Sequence, residues 1–208
     1  TALEYDNVTV ENNITMTLEE DSYDEYYTNS IDIHNNLSDK SDYIGAHDLH
    51  EGANLVGVCV IPEDNSTGNV IVGEHISGII GASEAATWIS GDNGYWAGSL
   101  THIDSTSGYW IKTDEAFIHL TAGDKCETEE YVLNPGANLI SYCHPVPLVL
   151  QNCLDNQFIT GIIGEGVAAT QLANGTWVGS LTELSSGSGY WVKSNSNENT
   201  TLNFDCEE

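Results

Sequence analysis

Arginine is absent from this 208-residue chain, and four lysines stand against 32 aspartates and glutamates. A net charge of −28 repels phosphate backbones and anionic headgroups, which argues against nucleic acid and bare membrane surfaces as partners. Small cations are the natural companions of such a surface. High ionic strength, where the Debye length shrinks to about 3 Å, would screen its self-repulsion. Long apolar runs are also missing: no 18 consecutive apolar residues occur, so no membrane-spanning helix is expected. Gly-x-Ser-x-Gly, the P-loop and the dinucleotide fingerprint are all absent, and carboxylate pairs are too numerous to carry information. The expectation is a protein that is not an enzyme. The chain starts at Thr1 with no basic-then-apolar leader, which fits a removed signal peptide or a trimmed start.

What the chain does contain is one paragraph written twice. Gly52-Ala53-Asn54-Leu55, Gly78-Ile79-Ile80-Gly81, Ala85-Ala86-Thr87, Trp96-Ala97-Gly98-Ser99-Leu100-Thr101 and Ser107-Gly108-Tyr109-Trp110-Ile111-Lys112 lead to Cys126. The same order returns as Gly136-Ala137-Asn138-Leu139, Gly161-Ile162-Ile163-Gly164, Ala168-Ala169-Thr170, Trp177-Val178-Gly179-Ser180-Leu181-Thr182 and Ser188-Gly189-Tyr190-Trp191-Val192-Lys193, leading to Cys206. Matched blocks lie 84, 83, 81 and 80 positions apart, so the length changes fall between blocks, where loops absorb them.

Within each copy, short apolar or alternating runs are separated by Gly, Asn, Asp and Ser, with one possible helical turn near Ser83 to Thr87. The spacing predicts an all-β chain: an acidic N-terminal β arm over 1–50, then two small tandem β-sandwich or barrel-like units over 51–130 and 131–208. In the arm, Val8, Val10, Ile14, Met16 and Leu18 alternate with polar residues around Asn12-Asn13, as a hairpin or one interrupted strand. Such a strand needs a sheet edge to receive its apolar face, and if that edge belongs to another copy, strand addition builds a polymer.

Repeat logic pairs Cys59 with Cys126 and Cys143 with Cys206, leaving Cys153 over as a buried thiol or a link to another chain. Two such bridges imply an oxidising, extracellular setting.

The motifs Thr160-Gly161-Ile162-Ile163-Gly164-Glu165-Gly166-Val167-Ala168-Ala169-Thr170, Trp177-Val178-Gly179-Ser180-Leu181-Thr182 and Ser188-Gly189-Tyr190-Trp191-Val192-Lys193 resemble tandem Gly-Tyr-Trp-type repeats of secreted proteins of marine bacteria. The resemblance covers both copies and stops short of residues 1–50. It implies a secreted chain without catalytic residues.

Trp96, Tyr109, Trp110, Trp177, Tyr190 and Trp191 are candidate core aromatics; the alternative is a sugar-stacking platform. In a strand, one of Tyr109 and Trp110 enters the core while the other faces outward or toward the sister copy. His47, His50 and Glu51 form a His-x-x-His-Glu cluster open to a transition metal, although two further ligands are lacking. Glu63-Asp64-Asn65 and Glu19-Glu20-Asp21 are oxygen-rich loops suited to Ca2+, without the glycine an EF-hand requires. Asn-x-Ser/Thr sequons at Asn7, Asn13, Asn36, Asn65, Asn174 and Asn199 are glycosylation candidates and would then be exposed. The expectation is an extracellular structural protein, a subunit of a filament, appendage or coat that forms a homo-oligomer or polymer. The alternative is a calcium-assisted adhesin or carbohydrate-binding module that recognises surface glycans.

Overall fold

The computed structural model describes residues 5–9, 15–19, 43–72, 75–91, 94–126, 130–154 and 158–204. It is all-β. In the arm, β1 (Tyr5–Thr9) and β2 (Thr15–Glu19) form an antiparallel pair with Val8 opposite Met16, and among the described residues these two strands pair only with each other. Val10 and Ile14 lie outside the described residues, as do Cys206 and the sequons Asn13 and Asn36.

The first half starts earlier than the sequence suggests. β3 (Tyr43–Leu49) pairs along its whole length with β10 (Phe117–Lys125), and its Leu49 is 1 % exposed in the core. A tight turn leads to β4 (Gly52–Gly57). The turn is closed by Asn54 of the Gly-Ala-Asn-Leu block, whose amide donates to the His50 carbonyl at 2.9 Å and accepts from its N–H at 2.8 Å. Asn138 does the same for Asn134 at 2.8 Å in both directions, between β11 (Glu130–Leu133) and β12 (Gly136–Tyr142). The repeated Asn is thus a turn lock that satisfies backbone groups.

The remaining strands of the first half are β5 (Val60–Ile61), β6 (Ile76–Ile80), β7 (Ala85–Ile89), β8 (Tyr95–Gly98) and β9 (Gly108–Thr113), with one short helix, α1 (Thr67–Val70). The second half adds β13 (Leu148–Val149), α2 (Leu150–Cys153), β14 (Ile159–Gly164), β15 (Val167–Gln171), β16 (Trp177–Gly179), β17 (Glu183–Leu184), β18 (Ser188–Ser194) and β19 (Thr200–Asn203). Ala85 to Thr87, read as the end of a helical turn, is strand. Ala86 pairs with Ile79 on one side and Gly98 on the other, and these two ladders override the helix propensity of the alanines.

The two halves do not form separate sandwiches. One ten-stranded sheet runs β16-β15-β14-β18-β4-β9-β6-β7-β8, with β12 also on β18. Two cores flank this path, one around Val58, Ile79, Ile103 and Ile111, the other around Tyr142, Ile162, Leu184 and Val192, all 0–1 % exposed. No helix among the described residues is long and apolar enough to cross a membrane.

Candidate functional site

The seam between the halves is reciprocal. Val56 pairs with Ser188, and Ile140, which is 84 positions beyond Val56, bridges to Ser107, which is 81 before Ser188. The Gly57 N–H donates to the Gly187 carbonyl at 2.9 Å, and the Ser141 N–H to the Thr106 carbonyl at 3.0 Å. Contacts in which each half offers the same residues to the other are the signature of a twofold-related interface. Close approach is what the glycine of Ser-Gly-Tyr-Trp provides. A Cβ on Gly108 would sit 2.6 Å from the Ile140 carbonyl oxygen, and one on Gly189 would sit 2.7 Å from that of Val56.

Matched residues meet on this seam, and the cysteines follow. Cys59 is bonded to Cys143, with Cα atoms 5.2 Å apart. This overturns both pairings that repeat logic gave. Cys126 is outside the bridge, and Cys143 is joined across the seam instead of within its own half. Cys153, read as a leftover, is itself disulfide-bonded.

The aromatic residues divide between two faces. Tyr109 and Tyr190 are buried in the cores, where each phenol oxygen accepts a backbone N–H, from Asp104 at 2.7 Å and from Ser185 at 2.8 Å. Trp96 and Trp177 are half-buried against the cores. Each indole N–H donates to the carbonyl just past a short helix, Ile71 at 3.3 Å and Leu154 at 3.0 Å. Trp177→Ala should therefore cost about 2 kcal/mol, less than for a fully buried aromatic. A urea titration reads this, and an unchanged midpoint would mean that the indole does not support the fold.

Trp110 and Trp191 depart from the core reading: they belong to neither core cluster and lie half-buried on the opposite face. Trp191 pairs across strands with Ile163, and Trp110 with Ile80; these isoleucines are 55 % and 54 % exposed. Two residues on, Lys193 and Lys112 stand opposite Gly161 and Gly78. Around Trp191 the face forms a shallow concavity of about 530 Å³ lined by Ala137, Ile163, Ala168, Thr170 and Lys193 among others. Apolar small residues, one indole and one ammonium could receive a flat ligand or a neighbouring chain. Nothing in the sequence reading singled out these lysines, although the motif carries one in each copy.

The metal candidates are dispersed. His47 is buried and stacked on His119 with ring centroids 6.3 Å apart, whereas His50 is exposed and its Nε2 lies 2.5 Å from a Glu165 oxygen. Glu165 also accepts the Leu55 N–H of β4 at 2.7 Å, a contact reaching from the second half to the first. Its hydrogen bond holds the His50 ring above the ordinary histidine range. In the Glu63-Asp64-Asn65 loop, Asp64 accepts the Ser66 N–H at 3.0 Å, and the Asn65 amide donates to the Ile103 carbonyl at 3.0 Å. Among the described residues, no three His, Cys, Asp or Glu side chains gather as a metal site. Glu20 and Asp21 lie outside them. Of the sequons, Asn174 and Asn199 are exposed, while Asn65 is half-buried. Asn7 sits in β1.

Comparison with family models, with curated proteins and with solved structures returns no match to this chain.

Proposed function

We propose that this protein is a non-enzymatic, extracellular structural subunit, a rigid block from which a filament, appendage or coat is assembled. The observation that carries this reading is the seam. One sheet runs through both halves, the strand junctions are reciprocal, and a disulfide bonds Cys59 to Cys143. The residues that recur in the sequence serve that construction: Asn54 and Asn138 lock turns, Gly108 and Gly189 admit the opposite half, and Trp96 and Trp177 tie strands to short helices. A structural disulfide belongs to an oxidising compartment. The resemblance of the motifs to repeats of secreted marine bacterial proteins supports the same location.

Assembly is assigned to the arm. Its β1-β2 hairpin leaves outer edges unpaired among the described residues, and two strands alone are marginal in water, so addition to a sheet edge of a second copy would stabilise it. Deleting residues 1–20 should give folded monomers that no longer polymerise, read by electron microscopy and sedimentation. Unimpaired polymers without the arm would overturn the assembly route.

The concavity beside Trp191 favours a second reading, a carbohydrate-binding module in which the indole stacks on a sugar face. A chain that stays dispersed and binds glycans through Trp191 would decide for that reading over the first.

A further inference from the structure

The face opposite the two cores carries the same side chains in both halves, and cross-strand register sets them in two rows. In the second half, Trp191 stands between Leu139 and Ile163; two residues on, Lys193 stands between Ala137 and Gly161, with Thr170 beyond Gly161. The first half repeats this as Trp110 between Leu55 and Ile80, then Lys112 between Ala53 and Gly78, with Thr87 beyond Gly78. Packing accounts for a core residue that recurs, because its close-packed neighbours recur with it. It does not account for an exposed one. Yet Ala53 and Ala137, Ile80 and Ile163, Thr87 and Thr170, and Lys112 and Lys193 are exposed and identical in the two halves. Several exposed matched positions elsewhere differ: His50 answers to Asn134, His102 to Glu183 and Asp104 to Ser185.

The charge on this face runs against that of the chain. Lys112 and Lys193 are two of its four lysines, and among the described residues neither forms an ion pair, although the sequence holds 32 carboxylates. Each ammonium is instead set beside an indole over a floor of alanine and glycine, which in the second half forms the concavity of about 530 Å³. Positions i and i+2 of a strand lie on one face roughly 7 Å apart. A sugar ring laid on the indole therefore brings a carboxylate of its own within reach of the ammonium.

We propose that Trp191 with Lys193, and Trp110 with Lys112, are two equivalent subsites for the uronic acid residues of an acidic glycan. The inference rests on the carbohydrate-binding reading for the sugar on the indole, and charge complementarity adds the carboxylate. A neutral sugar would leave the repeated ammonium without a task. At long range the net charge of −28 opposes an acidic ligand. At about 0.5 M salt the screening length falls to about 4 Å, so the field of the whole chain is quenched while an ammonium and a carboxylate in contact lie inside it. Binding is therefore expected at high ionic strength.

The test uses the full chain in high salt with its indoles labelled with 15N, the two resonances being assigned through Trp110→Phe and Trp191→Phe. The probes are oligomers of galacturonate, glucuronate and mannuronate, and the methyl esters of the same oligomers, which keep the ring and lose the charge. At least one uronate oligomer should shift both indole N–H resonances, and its ester should bind about fivefold more weakly, the worth of an exposed ion pair. Lys193→Met, an exposed change that keeps the aliphatic stem, should weaken the Trp191 response by the same factor and leave that of Trp110 as it was. Acid and ester binding alike, or an unchanged Trp191 response in Lys193→Met, would overturn the carboxylate assignment and leave the carbohydrate reading standing. No shift with any oligomer, charged or esterified, would overturn both. Shifts that follow protein concentration without a ligand would give the face to a second copy of the chain and overturn the proposal as well.

Discussion

Cys59→Ser is expected to lower the stability of the chain by about 4–5 kcal/mol, the largest single effect foreseen outside the cores. The bridge it removes spans a sequence separation of 84, and in the chain-entropy account the benefit of a cross-link grows with the loop it closes in the unfolded state. A share of the effect is native-state geometry, because the bridge sits where reciprocal strand junctions already hold the halves together. Urea unfolding of the variant beside the wild type measures it. The slope should rise as the midpoint falls, because an unlinked denatured chain exposes more surface. A loss below about 1 kcal/mol would show that the bridge adds little to what the seam holds without it.

The disulfide also marks where the sequence stops being legible. Duplicated blocks announced short strands and turns, and the fold is all-β. The same duplication misdirected the cysteines. A repeat states which positions correspond and is silent about how the corresponding surfaces meet. When they meet reciprocally, residues near the axis lie beside their own counterparts, and Cys59 faces Cys143 for the same reason that Gly57 lies against Ser141. No spacing rule contains that information. β3 was missed for a different reason: Tyr-Ile-Gly-Ala-His-Asp-Leu alternates weakly, and its pairing with β10 depends on residues about 70 positions away. Trp110 and Trp191 were grouped with the core aromatics although the two-residue period of a strand, applied to Tyr109 and Tyr190, already placed their neighbours on the other face. His119 went unremarked in Phe-Ile-His-Leu-Thr. Alternation there puts Ile118 outside, 51 % exposed, and turns the histidine inward.

That inward histidine supplies the second large effect, a loss of stability in acid of about 3 kcal/mol. His119 is 2 % exposed and lies opposite His47 across β3 and β10. Among the described residues neither ring nitrogen meets a partner in ordinary hydrogen-bond geometry, and Thr121 Oγ1 beside it on the strand meets none either. Burial, reinforced by the neighbouring His47, pushes the His119 ring down to about 4, although the nearby Val70 backbone favours the proton slightly. Burial pulls His47 the same way. In the unfolded chain a histidine takes its proton near 6.5. Between those two values the unfolded state binds more protons than the folded one, so stability rises with pH across this window and falls as pH drops through it. A gap of about 2.5 units corresponds to about 3 kcal/mol, fully felt only below about pH 4. Two effects oppose it. Acid strengthens the exposed His50–Glu165 pair, a surface contact of small worth, and it relieves the repulsion within a chain of net charge −28. The variant separates these contributions. His119→Leu keeps the charge background and His50 while removing the buried base, so the difference between wild type and variant isolates the acid limb. Denaturant unfolding from neutral pH down toward the isoelectric point near 4.1 should show that difference widening as pH falls. A wild type and His119→Leu that lose stability in parallel over this range would mean that the histidine pair is hydrated and takes its protons without opening β3 from β10.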